Sequence, residues 1–295
     1  MSHSNVIIVG GGCAGISVAS RINNLKSDLS ISIIEPSEQS LYQAAWTLVG
    51  AGAYNVDKTI KPMSKVMPSY VNWIKEHAEE FMPESNSVKT NNSTYTYDYL
   101  IVCPGLKINF DGVAGLKENL GKNNICTNYS AEMATYTWEC LKNLDGGTLL
   151  FTEPPMPIKC AGAPQKIAYL AADHLKKKGK LSESHLEFLC AKPVIFGVPH
   201  FQGPLNEVCD SYGIKRSFQH NLISVDGNAK EAVFKQSDKD GNTKEVTKKF
   251  DFIHVTPPQT SPDFIKNSPL ADAGGWVDVD HKVGTLRHTK FENIY

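Results

Sequence analysis

Two stretches of the chain hold residues whose types and spacing could do chemistry. In the first, Gly10-Gly11-Gly12-Cys13-Ala14-Gly15 sets glycines in the Gly-x-Gly-x-x-Gly order. Gly10 permits a tight turn, Gly12 lets the backbone approach a pyrophosphate, and Gly15 lets a helix pack closely on a strand. In the second, Glu153 to Lys166, a cysteine, Cys160, stands among prolines, with Lys159 beside it and Lys166 six residues on. A thiolate, not a thiol, is the nucleophile, and neighbouring cations and a helix start favour it. Cys160 is read as the reaction centre.

The elements that would position these residues follow from periodicity. Val6-Ile7-Ile8-Val9 is an apolar run leading into the glycines, and Ile16, Val18, Ala19 and Ile22 follow at helical spacing. A second strand, Ile31–Ile34, ends at Glu35, roughly 20 residues past the motif, where an acid accepts ribose hydroxyls and disfavours a 2′-phosphate. Strand, glycines, helix, strand and acid together specify a dinucleotide site, open to FAD or NAD. Around Cys160, Thr148–Phe151 reads as a buried strand and Ile167–Ala172 as a helix. A strand-to-helix crossover is where doubly wound folds place ligands. Between Phe151 and Ile167 stand four prolines and one glycine. Proline has no amide hydrogen with which to cradle a phosphate, so a second nucleotide site of the usual kind is not expected there.

Composition narrows the class. The chain has 295 residues, 41% hydrophobic and 21% charged, with a formal net charge of -1. That is the make-up of a globular protein of about two domains, with nothing to attract nucleic acid. Its basic run, Lys176-Lys177-Lys178, suits a helix end. There is no run of eighteen apolar residues, and the first strand begins by Val6, so no transit or signal peptide is expected. The seven cysteines are odd in number and none is spaced Cys-x-x-Cys, which argues against a disulfide scaffold or a zinc site; no metal is expected.

Further strands are expected at Val71–Ile74, Tyr97–Val102, Leu186–Cys190, Ile214–Arg216, Gly275–Asp280 and Phe250–Pro258, the last running back toward the first domain, with helices over Glu132–Leu144 and Leu205–Tyr212. Leu222–Val225 and Glu231–Lys235 read as a hairpin turned at Asp226-Gly227-Asn228. The fold class is therefore α/β, with two Rossmann-like dinucleotide-binding domains. Boundaries are placed at 1–112 for the first part of one dinucleotide-binding domain, 113–250 for a second domain carrying Cys160, and 251–295 for a return to the first.

The strand ending in Cys103-Pro104-Gly105 resembles the segment that returns to FAD in flavoprotein disulfide reductases, which implies FAD for the first unit and a contact near Gly105. The chain as a whole resembles the sulfide:quinone oxidoreductase family, in its mitochondrial-type branch. The resemblance rests on Pro36-Ser37-Glu38, Tyr42-Gln43, Trp46 to Gly52, Asn128-Tyr129-Ser130, Pro157 to Lys166, His254 to Pro258 and Gly275 to Asp280. Its most specific string is Lys-Cys-Ala-Gly-Ala-Pro-Gln-Lys at 159–166.

The resemblance implies that Cys160 takes up the sulfur of hydrogen sulfide as a persulfide. It implies FAD contacts at the Cys13-Ala14 turn, Glu35, Gln43, Ala78 and the turn after Ile195. Electrons would pass to ubiquinone or another quinone, and the sulfur to glutathione, sulfite or cyanide. The implied location is peripheral, on a bacterial cytoplasmic or mitochondrial inner membrane. In the family, a Gly-Asp pair, the partner cysteine and a membrane-binding part follow the region matching Tyr295, so the chain reads as C-terminally truncated. Two alternatives remain: an NADH:quinone reductase of the same design, or a non-catalytic FAD- or persulfide-binding fragment.

Overall fold

The computed structural model describes residues 2–295, which divide into two compact units. One comprises the chain up to Leu41, Ile60–Lys107 and Ser261–Tyr295; the other comprises Tyr42–Thr59 and Ile108–Thr260. The divisions fall at 107/108 and 260/261 rather than at 112 and 250, and residues 42–59 belong with the second unit.

In the first unit, β1 (Ser2–Val9) leads into α1 (Cys13–Leu25) and β2 (Ile31–Ile34). After β3 (Val71–Ile74) come β4 (Ala78–Met82), β5 (Ser87–Thr90) and β6 (Thr94–Val102). Their order is β3-β2-β1-β6-β5-β4, with β3, β2, β1 and β6 parallel. Both faces of the parallel part are covered, which is why the strands read as continuous apolar runs. Ile8, Ile31, Ile33 and Val71 pack with Ala19 of α1, while Ile7, Val9, Ile34 and Leu100 pack with Ile265, Leu270 and Ile294. Each such side chain contributes roughly 1.5–3 kcal/mol on burial. Where β5 leaves β6, residues 293–295 replace it: Leu100 N–H donates to Asn293 O at 2.9 Å, and Tyr295 N–H to Leu100 O at 2.9 Å.

The second unit holds the short helix α2 (Trp46–Gly50) and a five-stranded parallel sheet. Its elements are β7 (Ile125–Cys126), α3 (Ala131–Asn143), β8 (Gly147–Glu153), α4 (Ala163–Lys177), β9 (Ser184–Cys190), α5 (Pro199–Tyr212) and β10 (Lys215–Phe218). A three-stranded antiparallel sheet follows, β11 (His220–Asp226), β12 (Glu231–Ser237) and β13 (Thr243–Lys249), and then β14 (Phe252–His254). The parallel order is β7-β14-β8-β9-β10. Leu149, Phe151, Leu186 and Phe188 face Ala168, Ala171, Ala172 and Leu175 of α4. Leu150, Leu189 and Ile253 face Leu222 and Phe234 of the antiparallel sheet.

Three sequence expectations are corrected, and one further strand is not legible in the sequence. The strand at 250–258 does not run back to the first unit; as β14 it lies between β7 and β8. Gly275–Asp280 is no strand, because Asp272 Oδ1 accepts the Gly274 and Trp276 N–H groups (2.8 and 3.0 Å), and such turns compete with a ladder. Helix α5 starts at Pro199, six residues early, since a first-turn proline needs no helical donor. Strand β13 escaped notice because its lysines give it the polar look of a protected edge.

Gly10 and Gly12 separate conformational need from open space. Gly10 has φ +103°, and a Cβ there would lie 2.2 Å from Cys103 O; at Gly12 nothing lies within 4 Å of that position. Gly10→Ala is expected to cost at least about 2 kcal/mol, seen as a fall of ~5 °C in Tm. Measured on the cofactor-free chain, Gly12→Ala should leave Tm within ~1 °C. Thermal unfolding of the two variants checks this, and equal midpoints would contradict it.

Candidate active site

In the first unit the glycine turn is a donor site built from backbone. Helix α1 has no side-chain cap, and Gly12, Cys13 and Ala14 are exposed at its N-terminus. Amide hydrogens at an uncapped helix start, with the dipole behind them, suit a phosphate. Gly15 is buried where a Cβ would overlap Gly10 O at 2.0 Å, so the turn closes tightly on the helix. Glu35 stands at the end of β2, and its carboxylate accepts Gly11 N–H at 2.8 Å and Ser37 N–H at 2.7 Å. Those bonds fix the acid at the turn and leave lone pairs for hydroxyls. Cys103 N–H donates to Val9 O at 2.7 Å, which brings the Cys103–Gly105 segment alongside Gly10. Gly105, at φ +76°, has open space around it. Ala78 opens β4, and its side chain packs on the core. These residues fit the pyrophosphate and ribose of a dinucleotide.

In the second unit, β8 ends at Glu153, whose side chain is fully buried. Lys192, just past the end of β9, forms an ion pair with it. Burial drives the Glu153 carboxyl above its ordinary value, against the pull of Lys192. The crossover that follows carries Cys160, which is exposed and held at φ +58°. Only a few per cent of non-glycine residues adopt that region, and those that do cluster at functional sites.

Lys166, in the first turn of α4, places its ammonium 3.6 Å from the Cys160 sulfur. Lys159, the other expected cation, is half-buried with its ammonium 6.0 Å above the Trp46 ring, and burial lowers its value. Pro164 lies in the first turn of α4, as the sequence predicts, and withholds an amide where a phosphate would need one.

Cys160 opens onto a cavity of about 230 Å³. Gln43, Ala44, Trp46, Tyr129 and Ala163 line it, with Asn128, Lys166 and His254 among the polar groups. The structure thus brings Gln43 and Cys160 to one cavity, with Trp46 in its wall. Ile195 lies in the core, and its carbonyl accepts the Gln165 side chain at 2.5 Å.

Three residues of this site had no role assigned from sequence. His254 Nε2 accepts Asn128 N–H at 3.0 Å, Tyr129 donates its hydroxyl to Lys159 O at 3.3 Å, and Gln259 Oε1 accepts Lys159 N–H at 2.7 Å. Tyr129 and His254 lay inside distinctive strings; nothing singled out Gln259. Among the described residues, no group of three or more His, Cys, Asp or Glu is placed to hold a metal ion.

Burial depresses the His254 imidazole to about 3, so it is neutral in the folded chain and can accept the Asn128 amide. The unfolded chain takes up this proton below pH ~6.5, whereas the folded chain does so only near pH 3. Stability therefore falls as pH drops through that window, by about 1.4 kcal/mol per unit from this group. His254→Gln keeps an acceptor without a titrating group. The decline of Tm from about pH 6 to about pH 4.5 should be shallower in that variant; an unchanged slope would refute the assignment.

Comparisons with known proteins bear on the family of the chain. A profile of the pyridine nucleotide-disulphide oxidoreductase family matches residues 4–132. The mitochondrial sulfide:quinone oxidoreductase of Mus musculus is 38% identical over 100% of this chain, which spans 65% of the mouse protein. That of Schizosaccharomyces pombe is 33% identical over 100% of the chain, which spans 68% of it. The crystal structure of the Aquifex aeolicus sulfide:quinone oxidoreductase matches the fold with a TM-score of 0.83 at 23% identity, over 100% of this chain and 67% of that one. The chain thus spans about two thirds of the relatives it matches, slightly less for the mouse protein. It has the α/β, Rossmann-like architecture of the disulfide oxidoreductases, and it belongs to the FAD-dependent sulfide:quinone oxidoreductase family.

Proposed function

We propose that this chain is the FAD-binding and sulfur-accepting part of an enzyme that oxidises hydrogen sulfide and reduces a quinone. The carrying observation is Cys160, exposed at a cavity in left-handed backbone with the Lys166 ammonium on its sulfur. Family membership supports the substrate pair, because the relatives are named for sulfide and quinone.

The chain's own residues divide the work. The open N-terminus of α1 would receive the pyrophosphate of FAD, Gly12 would admit it closely, and Glu35 would accept ribose hydroxyls. Gln43, Ala78, Gly105 and the turn after Ile195 are proposed as further cofactor contacts. FAD, when bound, supplies a two-electron acceptor.

At Cys160 the thiolate and hydrosulfide join through one new S–S bond. The pair gives up one proton and two electrons, and the residue becomes a persulfide. Lys166 neutralises negative charge on that sulfur, and Trp46, Ala44 and Ala163 give the cavity an apolar wall. FAD, held by the α1 turn and Glu35, would take up the electrons, and ubiquinone or a similar quinone would be their final acceptor. The sulfane sulfur leaves to a nucleophile such as glutathione, sulfite or cyanide, which restores the thiolate. Such an enzyme works at a quinone-bearing membrane, inner mitochondrial or bacterial; no helix among the described residues is long and apolar enough to cross one.

Sulfide added to the FAD-loaded protein should bleach the flavin absorbance and add one sulfur atom to the Cys160 peptide, seen by mass spectrometry. Cys160→Ser should lose both, lowering flavin reduction by at least about 10³-fold, while keeping its FAD. Bleaching at the wild-type rate in that variant would overturn the proposal. Gly12→Ala should fold as the wild type does yet lose bound FAD during purification; full retention would remove α1 from the cofactor site.

A further inference from the structure

The backbone around Cys160 is held by groups from distant parts of the second unit. Lys159 N–H donates to Gln259 Oε1 at 2.7 Å, and Lys159 O accepts the Tyr129 hydroxyl at 3.3 Å. Both polar groups of the residue before Cys160 are therefore engaged by side chains, one 100 and the other 30 positions away. Ala163 N–H closes the other side by donating to Cys160 O at 2.8 Å. Between these anchors Cys160 stands at φ +58°, a conformation that costs a residue with a Cβ and persists only where the surroundings over-determine it.

We infer that Tyr129 and Gln259 are positioning residues for the sulfur chemistry: they clamp the Lys159 peptide and so hold Cys160 in left-handed backbone, with its sulfur exposed at the cavity and beside Lys166. This deepens the proposed function and takes its catalytic meaning from it.

The clamp is itself buttressed. Tyr129 and Gln259 are both buried, at 8% exposure each. Burial, reinforced by the neighbouring Cys160, pushes the Tyr129 phenol far up, so its hydroxyl stays a donor. The Asn128 amide just before Tyr129 is bonded to the neutral His254 ring, which ties this loop to the end of β14. Gln259 lies five residues past His254 on the chain leaving that strand, so one strand end supports both jaws. Lys159, held between them, directs its side chain toward Trp46 and leaves the sulfur to Lys166.

The test follows iodoacetamide alkylation of Cys160 on the intact chain, by peptide mass spectrometry, with the exposed Cys13 as internal reference. Tyr129→Phe and Gln259→Leu should each slow Cys160 by about fivefold, the worth of one hydrogen bond, with Cys13 unchanged. Gln259→Glu, which keeps an acceptor for Lys159 N–H, should return Cys160 to within about twofold of wild type. A second measurement needs no reactive sulfur. Glycine is at ease at this φ, so Cys160→Gly should unfold ~3 °C higher than Cys160→Ala. That gap should shrink when Tyr129→Phe is added. Unchanged Cys160 rates in well-folded variants, an equal change at Cys13, or no glycine–alanine gap would each overturn the clamp. None of these readouts uses sulfide or FAD, so failure of the sulfide-oxidation reading would show separately, as absence of persulfide on an alkylation-competent Cys160.

Discussion

The contact on which the reactive crossover depends is the buried ion pair between Glu153 and Lys192. Each residue stands at or just past the C-terminal end of its strand, and the Ala191 amide also donates to Glu153 O at 3.0 Å. A carboxylate with no solvent exposure is tolerable only with its counter-charge beside it, and removing one partner of such a pair costs about 3–5 kcal/mol. The pair therefore fixes where the chain leaves the sheet and where the ten residues from Pro154 to Ala163 must begin. Those residues are three prolines, three small residues, Met156, Ile158, Lys159 and one thiol, and of their side chains Ile158 is buried in the core. Their path is set at its origin by the ion pair and at its far end by α4.

The two units solve one geometric problem with opposite chemistry. Each ends a buried parallel strand and must turn into a helix at the sheet's C-terminal edge, the position doubly wound folds use for ligands. In the first unit the turn is glycine, so amides are bare and the helix start is left uncapped for an external anion. In the second, Pro164 occupies the first helical turn and Gly162 is followed by a helix whose opening amide is already bonded to Cys160 O. The first turn offers hydrogen-bond donors; the second offers a sulfur and an ammonium.

Much of this was legible in one dimension. Residue types with a local conformational meaning spoke for themselves: Gly10 and Gly15 because a Cβ has nowhere to go, Pro164 because it suits a first helical turn, and the Val-Ile-Leu strands because burial on both faces demands continuous apolarity. The local reading failed where partners decided the outcome. Phe250–Thr256 has the composition of any buried strand, and nothing in it says that β8 and β7 are its neighbours. Gly275–Asp280 alternates as a strand should, yet Asp272 takes the amides at its start.

The sequence by itself determined that Cys160 would be an unusual thiol, because proline-rich crossovers after a buried strand and before a helix put small residues at a sheet's open edge. Only the tertiary structure decided which cation meets its sulfur. Lys159 is adjacent in the chain, but its ammonium goes to Trp46. Lys166, one helical turn in, folds back onto the sulfur. The structure alone also decided what holds that thiol in place, since Tyr129 and Gln259 reach Lys159 across 30 and 100 residues, and contacts of that range follow from sheet order rather than from any local pattern.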